Sequence, residues 1–228
     1  LEVRAEKYFL SRLKLTSKLW DLRWRRLRAL WQTRLGLRGW LACYFGLLDL
    51  IGLLDLYEAT ISLLPGVRGL KPAEIRFLRT IFGDSIPYFL VRIDERAWFG
   101  PRFGNFCYVS FHTVNSWGPM HPAVLVHEIV HVWQYVHRGA AYIPRALSAQ
   151  RSAMGYNYGG VSGLERACQL EDFNYEQMAD VIEDAFRLAN AIEGQWVPGR
   201  GPEILPLYYP FLRELRGAKP HSAYLSFS

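Results

Sequence analysis

HPAVLVHEIVHVWQYVHRG, residues 121–139, is the stretch whose reading decides the fold. Pro122 suits a first helical position and Gly139 a position just past a helix end, where it would supply a left-handed cap. The segment reads as one continuous helix. Inside it stands His127-Glu128-Ile129-Val130-His131. Residues four apart project from one helical face, so His127 and His131 can reach a single metal ion. Glu128 lies beside that face, where it can take a proton from a metal-activated water. The expectation is a Zn2+ site with His127 and His131 as ligands and Glu128 as general base.

A catalytic zinc takes three protein ligands and keeps one position open. The chain has six histidines, and none continues the motif as H-E-x-x-H-x-x-G-x-x-H. His137 falls on a different face from His131, and His121 precedes the helix; capping, surface or structural roles suit them. The third ligand is therefore expected to be a carboxylate or a histidine far along the chain. NYEQMADVIED, residues 174–184, supplies a candidate. Asn174 can cap this helix, with Gln177 as its capping-box partner. Glu176 and Asp180 share a face: Glu176 can bind zinc, and Asp180 can accept the outward N–H of a ligand histidine. Glu171, Asp172, Glu183 and Asp184 compete for the ligand role.

With 228 residues, half of them hydrophobic and 15% aromatic, the chain can bury a substantial core, and disorder is excluded. Three scattered cysteines give no disulfide framework or zinc ribbon and read as buried small hydrophobes. The net charge of +6 is uneven: residues 1–40 hold 11 Lys/Arg against 3 acids. The chain begins at Leu1 rather than Met and reads as a processed product or an excised piece of something longer. Residues 5–35 read as an amphipathic helix with Trp20, Trp24, Leu27 and Trp31 at spacings of three and four. The apolar stretch 39–64, interrupted by Asp49, Asp55 and Glu58, reads as a buried helical hairpin, with a membrane-seeking element as the alternative. No nucleic-acid-binding motif accompanies the charge.

Further elements are a short helix from Pro72 ended by Gly83, strands at 86–93 and 106–113, and a mostly irregular stretch over 140–172 with short helices. The strand at 106–113 is a candidate cleft edge for pairing an extended peptide. A proline-rich wrap over 197–210 and a loose polar tail over 217–228 complete an α+β chain.

H-E-x-x-H followed by E-x-x-x-D resembles the thermolysin-like gluzincins, with Tyr175 standing where that family usually has Asn. HEIVHVWQY, YIPRAL, GYNY and NYEQMADVIEDAF more specifically resemble the bacterial Vgr-related zinc metallopeptidase domains, with Met178 in place of a common Gln. That resemblance implies a zincin-like catalytic domain over 70–228 behind a helical extension over 1–64. It also implies a protein or peptide substrate, a secretion-spike fusion or carrier, an immunity protein, and action in a target-cell periplasm as a type VI secretion effector. Tyr156, Tyr158, His112 and Arg151 are candidate donors to the developing oxyanion. Three other readings stay open: a cytosolic regulatory protease, an amidase acting on peptidoglycan cross-links, and a membrane- or partner-binding module with a structural zinc.

Overall fold

The computed structural model describes residues 2–32, 37–98, 101–104 and 106–225. Positions 33–36, 99–100, 105 and 226–228 of the expectations above lie outside the described residues. Three helices come first: α1 (Glu2–Trp31), α2 (Leu37–Leu50) and α3 (Leu53–Ile61). Leu15 and Leu19 of α1, four apart, are fully buried and join the main core with Ile129, Val132 and Ile182. Each such side chain contributes roughly 1.5–3 kcal/mol by leaving water. The chain breaks between α2 and α3 at Gly52, whose φ is 77°. A Cβ there would come within 2.4 Å of Thr16 Cγ2, so the turn needs glycine to let α1 approach.

The expected buried hairpin is corrected in one respect. Asp49, Asp55 and Glu58 face inward and are buried, whereas Leu47, Ile51 and Leu56 on the outer side are exposed. The reason is a set of ion pairs to α1. Arg23 contacts Asp49 Oδ1 (3.0 Å) and Asp55 Oδ2 (2.6 Å), and Arg12 pairs with Glu58.

A small sheet follows, built from β1 (Val67–Gly69), β2 (Arg92–Asp94), β3 (Tyr108–Ser110) and β4 (Thr113–Asn115) in the order β1-β2-β4-β3. The β2–β4 pair is parallel and the other two are antiparallel. Helix α4 (Pro72–Phe82) opens on proline and ends at Gly83, as read; the short α5 (Pro101–Gly104) precedes β3. Both expected strands are corrected. Residues 86–91 form local turns (Leu90 N–H to Pro87 O, 2.9 Å), and only 92–94 pair as a strand. Ile86, Leu90 and Val91 are apolar because the turns are buried, not because they lie in a sheet. The run 106–113 is a hairpin turning at Phe111, which has a φ of 62°.

Helix α6 (Pro122–Arg138) is the central element, buried over almost all of Ala123 to Val136. His121 caps it by accepting the Ala123 N–H, and Gly139 ends it with φ 74° and ψ −173°, an extended rather than a left-handed helical cap. Two short helices, α7 (Tyr142–Gln150) and α8 (Gly160–Arg166), lie in the stretch read as mostly irregular. Helix α9 (Tyr175–Ala189) starts at the Asn174–Gln177 capping box and packs along α6. The proline-rich segment forms a 3-10 turn at Pro202–Leu207, leading to α10 (Tyr209–Gly217) and α11 (Ser222–Leu225). The expected loose tail is corrected: Ala223 and Tyr224 are buried and α11 packs on α1. The cysteine expectation holds for Cys43 alone, since Cys107 is half-buried and Cys168 exposed.

Two imidazoles, the partly buried His137 and the fully buried His112, favour the neutral form. His137 Nε2–H donates to the Ser85 carbonyl (2.8 Å), and burial, aided by the Arg26 and Arg138 charges, pulls its pKa from 6.5 down to about 4. Burial and the neighbouring arginines push His112 down as well. A folded pKa below the unfolded one means the unfolded chain binds the extra proton. The stabilisation is complete above pH 6.5 and is lost as pH falls toward 4. The free energy of urea unfolding is expected to fall across that window. A His137→Gln chain should lose less of it, by up to about 3 kcal/mol at full effect; parallel curves would refute the assignment.

Candidate metal centre

The 3.6-residue period places His127 and His131 on the face of α6 that meets α9, with ring centroids 5.1 Å apart. Their proton positions follow from their neighbours. His127 Nδ1 lies 2.8 Å from Asp180 Oδ1 and 3.2 Å from Glu183 Oε2, so Nδ1 carries the hydrogen. Gln134 donates its Nε2–H to the Tyr175 carbonyl (2.8 Å), which turns its Oε1 to His131 Nδ1 (2.9 Å). That nitrogen must therefore carry the hydrogen too. The Nε2 lone pairs of both rings are left facing Glu176 Oε2, at 3.5 Å and 3.3 Å.

Glu176 is held from its other side, since Gln150 of α7 donates to its Oε1 at 2.9 Å. Its Oε2 is buried and has no hydrogen-bond partner. Three ligand atoms, from His127, His131 and Glu176, thus lie within 4.8 Å of one another. Such a donor set fits a zinc-like cation, which would satisfy all three at once. Without a cation the site favours protons: burial pulls His127 and His131 down, but the facing carboxylates outweigh it and raise both. The same imidazoles overcome the upward effect of burial on Glu176 and lower it.

Glu128 is almost fully buried, and its Oε2 also lacks a partner. Burial raises its carboxyl above the usual range, against the pull of the two histidines. Glu128 lines a cavity of about 1050 Å³ together with the three candidate ligands. The outer strand β3 forms one wall, clamped to α7 by Tyr142, whose hydroxyl donates to the Val109 carbonyl (2.8 Å). Leu53, Leu56 and Tyr57 of α3 add an apolar wall. The segment expected as a cleft edge thus lines the cleft, though as a three-residue strand.

Of the four candidate donors, Tyr156 alone lines this cavity, its ring centroid 6.1 Å from that of His127. The other three are corrected. His112 is fully buried against Tyr135 and Glu58, because its backbone turns the β3–β4 hairpin into the core. Tyr158 is buried and donates to Asp184 (2.7 Å). Arg151 is exposed just beyond Gln150 at the end of α7 and does not line the cavity. Asp180 takes its expected place against His127, with a second contact from Trp196 Nε1–H at 2.6 Å. Gln134, Gln150 and Trp196 complete the support of the site. Gln134, three residues after His131 on one face, carried a readable signal, whereas Gln150 and Trp196 reach the site only through tertiary packing.

Over 132 residues, 52% of this chain, the sequence is 30% identical to the type VI secretion system spike protein VgrG2b of Pseudomonas aeruginosa. The match spans 13% of the length of that protein. No family model and no solved structure matches the chain. The α+β chain is similar over half its length to a protein of a secretion spike.

Proposed function

We propose that this chain is a zinc-dependent metallopeptidase of the gluzincin kind, working as a secreted antibacterial effector in a target-cell periplasm. The observation that carries the reading is the buried Glu176 Oε2, without a hydrogen-bond partner and facing Nε2 of both histidines, with the likewise unpartnered Glu128 Oε2 beside it. A zinc ion held by His127, His131 and Glu176 would polarise a scissile carbonyl and acidify a water. Glu128 accepts the proton from the attacking water and delivers it to the leaving amine; its raised pKa suits both roles. Edge strand β3 offers backbone groups for pairing with an extended peptide. The Tyr156 hydroxyl, pushed up to about 12 by burial and the Glu176 charge, stays protonated and can donate to a developing oxyanion.

The similarity to a type VI secretion spike protein supports the secretion-related role, with a spike carrier and an immunity protein as partners. A purely structural zinc site would have no use for a buried, unpaired glutamate next to its ligands.

Glu128→Gln is expected to keep one zinc per chain by elemental analysis while hydrolysis of a fluorogenic peptide library falls about 10²–10⁴-fold. An active Glu128→Gln chain would sink the mechanism. Asp180→Asn should weaken zinc retention about 10–100-fold in a chelator competition; unchanged retention would remove Asp180 from the site. Growth of bacteria carrying the chain in cytoplasm or periplasm tests the setting. Killing confined to the periplasm and to chains with Glu128 intact supports it, and equal harm from both forms overturns it.

A further inference from the structure

The α2–α3 pair is polar inside and apolar outside. Between Gly39 and Val67 the sequence holds three charged residues, Asp49, Asp55 and Glu58, and all three are buried. Asp49 and Asp55 meet Arg23, Glu58 meets Arg12, and Tyr135 of α6 donates to Asp49 at 3.0 Å. The opposite side of the pair presents Trp40, Tyr44, Leu47, Ile51, Leu53 and Leu56 to solvent, with Ile51 63% exposed. Soluble domains do the reverse, so a buried charge set under an exposed apolar face is the informative deviation. Inward-facing, mutually paired charges under an apolar exterior are what a lipid environment selects.

The chemistry of the face favours lipid over protein. Protein interfaces carry a polar rim and about one hydrogen bond per 100–200 Å². Among its described side chains this face offers only an indole, two phenols and a hydroxyl as hydrogen-bonding groups, and no charge. Helix α1, which packs along both α2 and α3, adds what an anionic membrane surface needs. It exposes Lys14, Arg25 and Arg28, with Trp20, Trp24 and Trp31 between them; the first two indoles stack at 6.0 Å. Trp and Tyr settle at the headgroup level, and basic side chains there draw in anionic lipid. No single described helix is long and apolar enough to cross a membrane, and α2 and α3 are bent by 69°, a shape suited to lying in one leaflet.

We infer that the outer face of α2–α3, flanked by the basic side of α1, docks this protein on an anionic lipid surface. Leu53, Leu56 and Tyr57 belong both to this face and to the cavity wall, so docking brings the cleft mouth to the membrane. If the cleft is the active site proposed above, its substrates lie at the membrane surface.

The test is co-sedimentation of the full chain with vesicles of phosphatidylglycerol and phosphatidylcholine (3:7) and of phosphatidylcholine alone. The chain is expected to bind the anionic vesicles, more weakly at high salt, and to bind the neutral ones less. Leu47→Glu with Ile51→Glu should lower partitioning at least tenfold while leaving the unfolding midpoint unchanged, since both side chains are exposed. Arg25→Gln with Arg28→Gln should erase most of the preference for anionic lipid. Glu128→Gln should bind as the parent does, which separates this inference from the peptidase reading. Absent binding by the parent, or equal binding by the glutamate variant, overturns it. So does a parent dimer that the glutamate pair converts to a monomer without vesicle binding, since the face would then be a self-association surface.

Discussion

The interaction on which the site depends is the burial of four carboxylates on one side of α9. Glu176, Asp180, Glu183 and Asp184 are each 3% exposed or less. Desolvating an ionised carboxylate costs several kcal/mol, so each needs compensation. Asp184 receives the Gln195 and Trp196 backbone N–H groups and the Tyr158 hydroxyl. Glu183 pairs with Arg187 and Asp180 with His127, while Trp196 adds an indole N–H to Asp180. Glu176 alone keeps an oxygen without a partner. That oxygen faces Nε2 of both His127 and His131, and a cation held by the three residues would satisfy it.

The basic N-terminal helix is bound into the same system. Arg26 of α1 donates to the Val136 and His137 carbonyls at 2.8 and 2.9 Å, satisfying acceptors that the end of α6 leaves open. A cation at a helix C-terminus also opposes the helix dipole. Tyr135, one turn past His131, reaches Asp49 in the α1–α3 charge set. The helix that carries the two histidines is thus anchored at its C-terminal end by residues of the first sixty.

His127, Glu128, His131 and Glu176 were legible because helical period and capping alone bring them to defined faces. Asn174 and Gln177 announced α9 as clearly as Pro122 announced α6. Ile86–Val91 misled because buried turns and buried strands share a composition, and periodicity cannot separate them over so few residues. Arg12 and Arg23 are buried, against the usual surface fate of arginine. Their true place was written in the acids at 49, 55 and 58, which lie too far along the chain for a local pattern to connect. Gln150 and Trp196 are harder still, since each meets the site only after three or more elements have packed.

The cleft joins both halves of the molecule through one side chain. Glu58 of α3 accepts the His112 backbone N–H at 2.7 Å and pairs with Arg12. His112 lies in the turn between β3 and β4, so this single carboxylate ties the apolar wall of the cavity to the hairpin that forms its other wall. Buried charges of this kind add little net stability over an apolar replacement, yet they tolerate only one arrangement. Here that arrangement sets the distance between α3 and the edge strand beside the cavity. The same charges that leave the outer face of α3 apolar therefore also tie its inner edge to the β3–β4 hairpin.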